Sequence, residues 1–352
     1  MPPFGVLGQG EEKIKPAVWL WGLSGLLVLL CGWALGCGYL SISFWEIPKL
    51  LVKGWPRWEG GDFSENELKT FVLVHLRGVR VVGAVVVGAG LGVSGVLTQT
   101  IFRNPLADPG LVGISSGVAM GTLAVLFVAH GRVTSQPLLG FGVGVGMVTL
   151  VYRISRRFLA DKSLAVLLAG IALNALSAAV IGLILSFGNN ELLRDFSFWS
   201  LGSFVYLSWT NVFWLILFVG LPSIVACFLG KPLNILSLGE VEARVLGWNP
   251  DRLQRWVLFL LAAIVGGSVA ACGTIGFVGL IVPHILRPVL GPDRRQLLWG
   301  SAIGGAILLV ASDLMSRTFC PDTELPIGIF TALWGGPTLL FILWSTAKNK
   351  RN

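Results

Sequence analysis

At 352 residues, with 54% hydrophobic residues, 12% charged residues and 14 tryptophans, the chain is too apolar for a water-soluble domain. Its formal net charge of +8 is spread over the connections between apolar runs. That pattern excludes a concentrated nucleic-acid surface and fits the loops of a polytopic membrane protein facing anionic headgroups.

The first apolar run, 16–45, exceeds a signal-peptide core and lacks a clear small-x-small cleavage site, so it reads as a retained span. Uncharged runs follow at 81–102, 109–131, 133–152, 163–190 and 196–230, each able to cross a hydrocarbon core of about 30 Å. Gly88 and Gly92, four apart, suit close helix packing in the first of these. Between the second and third runs lies FRNPLADPGLVG, residues 102–113. Its prolines fix φ and remove donors, so one helix ends near Asn104 and another starts near Pro109 or Gly110.

The loop 231–255 follows the sixth run. Pro232 suits a helix start and Gly239 and Gly247 suit stops, which predicts two short helices. The second presents Val241, Val245 and Leu246 beside polar Glu240, Glu242 and Arg244, a face for either a partner's groove or the lipid surface. Run 256–286 is too long for one straight helix and contains CGTIGFVG and Pro283, so it reads as a full span plus a short returning helix. With 296–312 and 325–347 the chain becomes a single all-α domain, 1–352, of about ten transmembrane helices.

An even count puts both termini on one side. Sorting the loops alternately gives that side seventeen of the 26 lysines and arginines and leaves nine on the other, so the termini are expected in the cytoplasm. On the outer side, Arg77 and Arg80 share one helix face, and Arg317 follows Asp313 by one turn, close enough to pair. Snorkelling to headgroups is the alternative use of each arginine. Asn174 and Ser177 also share a face, where they either line a pathway or bond neighbouring helices.

Several motifs fail their context tests. GLGVSG, 90–95, and GISSG, 113–117, satisfy dinucleotide-loop and nucleophile-elbow patterns, yet neither follows a strand. Ser94 and His284 would form an intramembrane protease dyad only within hydrogen-bond reach of each other. No Walker A pattern exists, and the five cysteines show neither metal spacing nor a disulfide framework.

Residues 88–117 (GAGLGVSGVLTQTIFRNPLADPGLVGISSG), LGEVEARVLG in the 231–255 loop, GTIGFVGLIVPHILRPVLGPDRRQLL at 273–298 and the block 312–343 together resemble the permease subunits of bacterial ABC importers for iron-siderophore, haem and cobalamin. The resemblance covers the chain from the second span onward and implies the type II importer permease fold. It implies a non-enzymatic subunit that binds no cofactor itself, works as a homodimer in the bacterial cytoplasmic membrane, and joins two ATPase subunits that use ATP and magnesium. An extracytoplasmic binding protein would deliver the substrate, with a ferric siderophore or haem expected first and cobalamin or a molybdate-type oxyanion after them.

Residue by residue, the resemblance makes Gly239, Glu240, Ala243, Arg244, Leu246 and Gly247 the ATPase-coupling element, and Arg77, Arg80 and Arg317 the receivers of binding-protein glutamates. It makes Asn104, Pro105 and Leu106, with Asp161, Lys162 and Ser163, the cytoplasmic gate. The turn at Asp161 and Lys162 is longer than the family pattern, and the flanks of the glutamine in 98–100 are less bulky. The competing classes are an ion-coupled secondary carrier, for which Asp313 alone approaches a relay position, and the intramembrane serine protease.

Overall fold

The computed structural model describes residues 15–38, 40–52, 64–128, 136–158, 162–319 and 325–349, and every regular element among them is helical. Helix α1 (Pro16–Gly36) starts with a proline, whose missing N–H falls among the donors a first turn leaves free. The short α2 (Ile47–Val52) precedes α3 (Glu65–Ile101), whose segment Val72–Gly78 is wound as a π-helix. A reciprocal capping box between Ser64 and Glu67 starts α3. A 3-10 turn (Pro109–Val112) then leads into α4 (Ile114–Val128).

Next come α5 (Gln136–Phe158), α6 (Lys162–Phe187), α7 (Asn190–Ser200) and α8 (Trp209–Phe228). The short pair α9 (Gly230–Leu238) and α10 (Glu240–Val245) precedes α11 (Pro250–Cys272). The chain continues with α12 (Val278–Leu290), α13 (Arg294–Phe319) and α14 (Ile327–Asn349). Among the described residues α1, α3, α6, α8, α11 and α13 are long and apolar enough to cross a membrane, while α4, α5, α12 and α14 carry shorter apolar stretches. These ten correspond to the ten expected spans.

The long run 256–286 does divide in two. Gly273 at φ 73° and Phe277 at φ 68° break the backbone between α11 and α12, and a Cβ at Gly273 would overlap the Trp199 carbonyl. The run 196–230 divides as well, which its lack of charge concealed. Asn189 caps α7, Gly202 turns at φ 78°, and Ser208 caps α8, so the first part of that run is a separate helix. Helix α3 also ends at Ile101, three residues before the expected Asn104, with Arg103 left in a positive-φ conformation.

The core is organised around α3. Where it crosses α13, a Cβ on Gly88 would overlap Gly305 and one on Gly92 would overlap the Ser301 carbonyl. Gly95 meets Gly279 of α12 in the same way, so three backbones touch without intervening side chains. By contrast α1 is peripheral, with Trp21, Val28, Leu29 and Trp33 exposed, as a lipid-facing helix allows.

Two ends can be told apart by contacts. At one end, Arg77 of α3 donates to the Leu35 and Gly36 carbonyls that close α1, both at 2.9 Å, and Ser316 of α13 bonds Leu325 just before α14. At the other end, the Ser163 hydroxyl of α6 donates to the Ile101 carbonyl of α3 at 2.9 Å. Helix α1 therefore begins, and α14 finishes, at this second end, which also holds the 102–113 connection.

Replacing Gly92 with alanine is expected to lower the melting temperature of the detergent-solubilised protein, at a cost of about 1–3 kcal/mol for overpacking. Gly146→Ala, where a Cβ meets nothing within 4 Å, is the control and should be neutral or slightly stabilising.

Candidate functional sites at the two ends

The 231–255 loop adopts the predicted pair of helices. Gly239 joins them at φ 143° and ψ 163°, a conformation only glycine takes readily, and Gly247 ends the second at φ 80°. Ala243 is buried and pins α10 to the body of the protein, while Glu240 and Arg244 pair along its flank at 3.6 Å. Val241, Val245 and Leu246 stand outward, Val245 with 82% of its surface exposed. Asn249 then caps α11 through the Arg252 N–H at 3.0 Å.

The hinge lies at the same end. Asn104 folds the turn by accepting from the Leu106 N–H at 2.9 Å, and Asn104 and Pro105 are exposed. Ser163 sits beside this turn through its bond to Ile101; Asp161 lies outside the described residues, and of the Lys162 side chain nothing is described. Further along the connection, Asp108 accepts from the Gly110 N–H at 2.8 Å and caps the 3-10 turn. Asp108, Gly110, Ser115, Ser268 and Gly273 line a cavity of about 30 Å³, room for a water molecule.

At the opposite end all three predicted arginines converge, and all are bonded within the chain. Arg80 reaches Asp313 through Nε at 3.0 Å and Nη2 at 2.8 Å, and Arg317 reaches the other carboxylate oxygen at 3.2 Å. Arg317 also donates to the Ala34 carbonyl at 2.8 Å, and Arg77 to Leu40 besides Leu35 and Gly36. The α1 C-terminus thus ends against cationic donors, the favourable polarity for a helix end. Asp313 is almost fully buried between two guanidinium groups, an anchoring arrangement and not an open relay site.

Asn174 takes the interhelical option. Its amide donates to the Gly110 carbonyl at 3.1 Å and its oxygen accepts from Ser116, while Ser177 is buried. Ser94 spends its hydroxyl on the Leu91 carbonyl and is not bonded to His284, whose ring stands beside the Pro105 backbone. Among the described residues no group of three or more His, Cys, Asp or Glu side chains is placed to hold a metal ion. Sequence reasoning passed over Asp108, Asn234, Asp293 and Arg287. Their partners are remote in the chain or made of backbone, and only the proline after Asp108 hinted at a cap.

The FecCD transport family profile matches residues 26–345. The chain belongs to this family. Among its relatives, the hemin transport permease HmuU of Yersinia pestis is 37% identical over 94% of this chain and 96% of its own. The vitamin B12 import permease BtuC of Citrobacter koseri is 36% identical over 95% and 96%. A solved structure, an inward-facing metal-chelate type ABC transporter, superposes with a TM-score of 0.81 at 32% identity, covering 94% of this chain and 99% of that one. This FecCD protein is therefore a multi-pass ABC importer permease with the type II fold, and ATP hydrolysis belongs to a separate subunit.

In this FecCD chain, burial raises the Asp108 carboxyl above its ordinary 3.8, while the Gly110 N–H pulls the other way. The folded state holds that proton more tightly than the unfolded chain does. Its stabilisation is complete below pH 3.8 and fades as the pH climbs through the raised value. Asp108→Asn, which keeps the acceptor for Gly110, is expected to remove this slope from a series of melting temperatures and to stabilise the protein at neutral pH. An unaltered slope would assign the pH dependence to other groups.

Proposed function

We propose that this permease imports an iron chelate, haem or a ferric siderophore, across the bacterial cytoplasmic membrane as a homodimer, with its termini and the 231–255 loop in the cytoplasm. The hemin permease relative supports this substrate class, and the vitamin B12 relatives make cobalamin the second reading. The chain acts as a single transmembrane unit between two ATPase subunits, where ATP and magnesium bind, and an extracytoplasmic binding protein.

The observation that carries the reading is the outward face of α10. Val241, Val245 and Leu246 are exposed, though the segment is bounded by the Gly239 and Gly247 turns and seated by the buried Ala243. A pinned helix with an uncovered apolar face fits a groove on a partner, and Glu240 and Arg244 border that face. It shares its end of the molecule with the 104–106 turn and Ser163, which, with Asp161 and Lys162, we take as the cytoplasmic gate.

Binding-protein docking belongs to the other end. Arg80 and Arg317 share one carboxylate, Asp313, while Arg77 bonds backbone carbonyls, so the cluster keeps an excess of positive charge suited to acidic lobes. Asn174 and Ser177 then support the pathway wall and do not contact cargo directly. ATP binding would close the ATPases, α10 would carry that movement inward, and the gate would open toward the cytoplasm.

The test is reconstitution with a partner ATPase and a substrate-binding protein. Uptake of haem, a ferric siderophore and cobalamin is measured in proteoliposomes; exclusive uptake of cobalamin would overturn the iron-chelate reading. Val245→Glu should abolish ATPase copurification and reduce uptake by at least roughly tenfold, with an unchanged melting temperature, because it puts a charge into a desolvated contact.

A further inference from the structure

Helix α9, which carries α10, is fastened to the α12–α13 corner by side chains. Asn234 donates through Nδ2 to Asp293 Oδ1 at 2.7 Å and accepts from the Arg294 N–H at 2.8 Å. The same Asp293 oxygen accepts from the Arg295 N–H at 2.9 Å. Desolvation, the largest single influence on the Asp293 carboxyl, pushes it up, but the Asn234 and Arg295 hydrogen bonds and the Arg295 charge hold it below its ordinary range. Only three residues, 291–293, separate α12 from α13, so little slack lies between this fastening and α12 itself.

The other attachments of α12 lead to the hinge. Arg287 donates through Nη2 to Gln99 Oε1 at 2.6 Å, and Gln99 is a buried polar side chain in the last turn of α3, immediately before the 104–106 turn. His284 lies one turn earlier on α12, with its ring beside the Pro105 backbone of that turn. Burying Gln99 without a partner would cost free energy, so the bond to Arg287 is not an idle contact. Helix α12 has 13 residues, with Pro283 and Pro288 inside it; its C-terminal corner is held by α9, and Arg287 holds the last turn of α3.

We propose that α12 is the lever through which movement of the α9–α10 loop reaches the gate turn. Asn234 and Asp293 form its input, and Arg287 its output on Gln99, in the turn of α3 that leads into 104–106. These are positioning residues; none contacts cargo or nucleotide. The proposal rests on reading 239–247 as the ATPase contact and 104–106 as the gate.

The experiment uses the whole complex in nanodiscs, with a nitroxide label at Arg103→Cys, an exposed position just before the gate turn, and spectra taken with and without a non-hydrolysable ATP analogue. The otherwise unaltered complex is expected to show a nucleotide-dependent change in the label's spectrum. Asn234→Ala should lose that change and reduce uptake by roughly tenfold, the usual size of a coupling between sites, while still binding the ATPase and hydrolysing ATP. The exchange Asn234→Asp with Asp293→Asn preserves an amide–carboxylate pair and should restore both readouts, which a variant that merely misfolds would not. A full nucleotide response in Asn234→Ala with unimpaired uptake would overturn the lever. A silent label in a complex that transports normally would instead remove the gate assignment, and failure of the ATPase to bind the unaltered chain would remove the coupling assignment; either result takes the lever with it.

Discussion

Everything in this protein is positioned by the direct backbone contact that α3 makes with α13 and α12. Lipid offers helices no hydrophobic reason to associate, since acyl chains are as apolar as leucine, so association depends on close packing. Gly88, Gly92 and Gly95 give α3 a groove with no side chains in it, and Gly305, Ser301 and Gly279 fill it. One helix thereby fixes both functional ends. Arg77 and Arg80 sit near its start, and Gln99 and the hinge near its finish.

The arginine end illustrates how expensive charge is accommodated at the edge of such a bundle. Desolvating a carboxylate costs several kcal/mol, and a single partner often fails to recover it. Asp313 has two guanidinium partners, and the spare donors of Arg317 and Arg77 go to the carbonyls that close α1. One cluster thus joins three helices and anchors the end of α1, whose Leu27, Leu30, Cys31 and Ala34 also pack against the core. The same cluster holds three arginines against one carboxylate, so anchoring does not cancel its positive charge.

Much of this was legible in the sequence because lipid imposes a simple rule on it. Uncharged runs gave the spans, the over-long 256–286 run announced its break, and Gly239 and Gly247 marked α10. The division of 196–230 was hidden because α7 and α8 are separated by caps and a glycine turn and not by charge. The three arginines and the Asp313–Arg317 pair could be singled out by spacing, yet the partners of Arg77 and Arg80 could not: Arg80 and Asp313 are 233 residues apart in the chain. Asp108, Asn234 and Arg287 were invisible for the same reason, since their roles arise from backbone groups and remote side chains that only the folded arrangement brings together.

The π-wound stretch at the start of α3 has a geometric outcome of its own. On an uninterrupted α-helix, Arg77 and Arg80 would project together toward one neighbour. Here the wider winding of Val72–Gly78 runs up to the position between them, and Arg77 reaches α1 while Arg80 reaches α13. A single local change of pitch lets two adjacent cations serve two different helices, so this brief irregularity works as a splitter that a perfectly regular rod would lack.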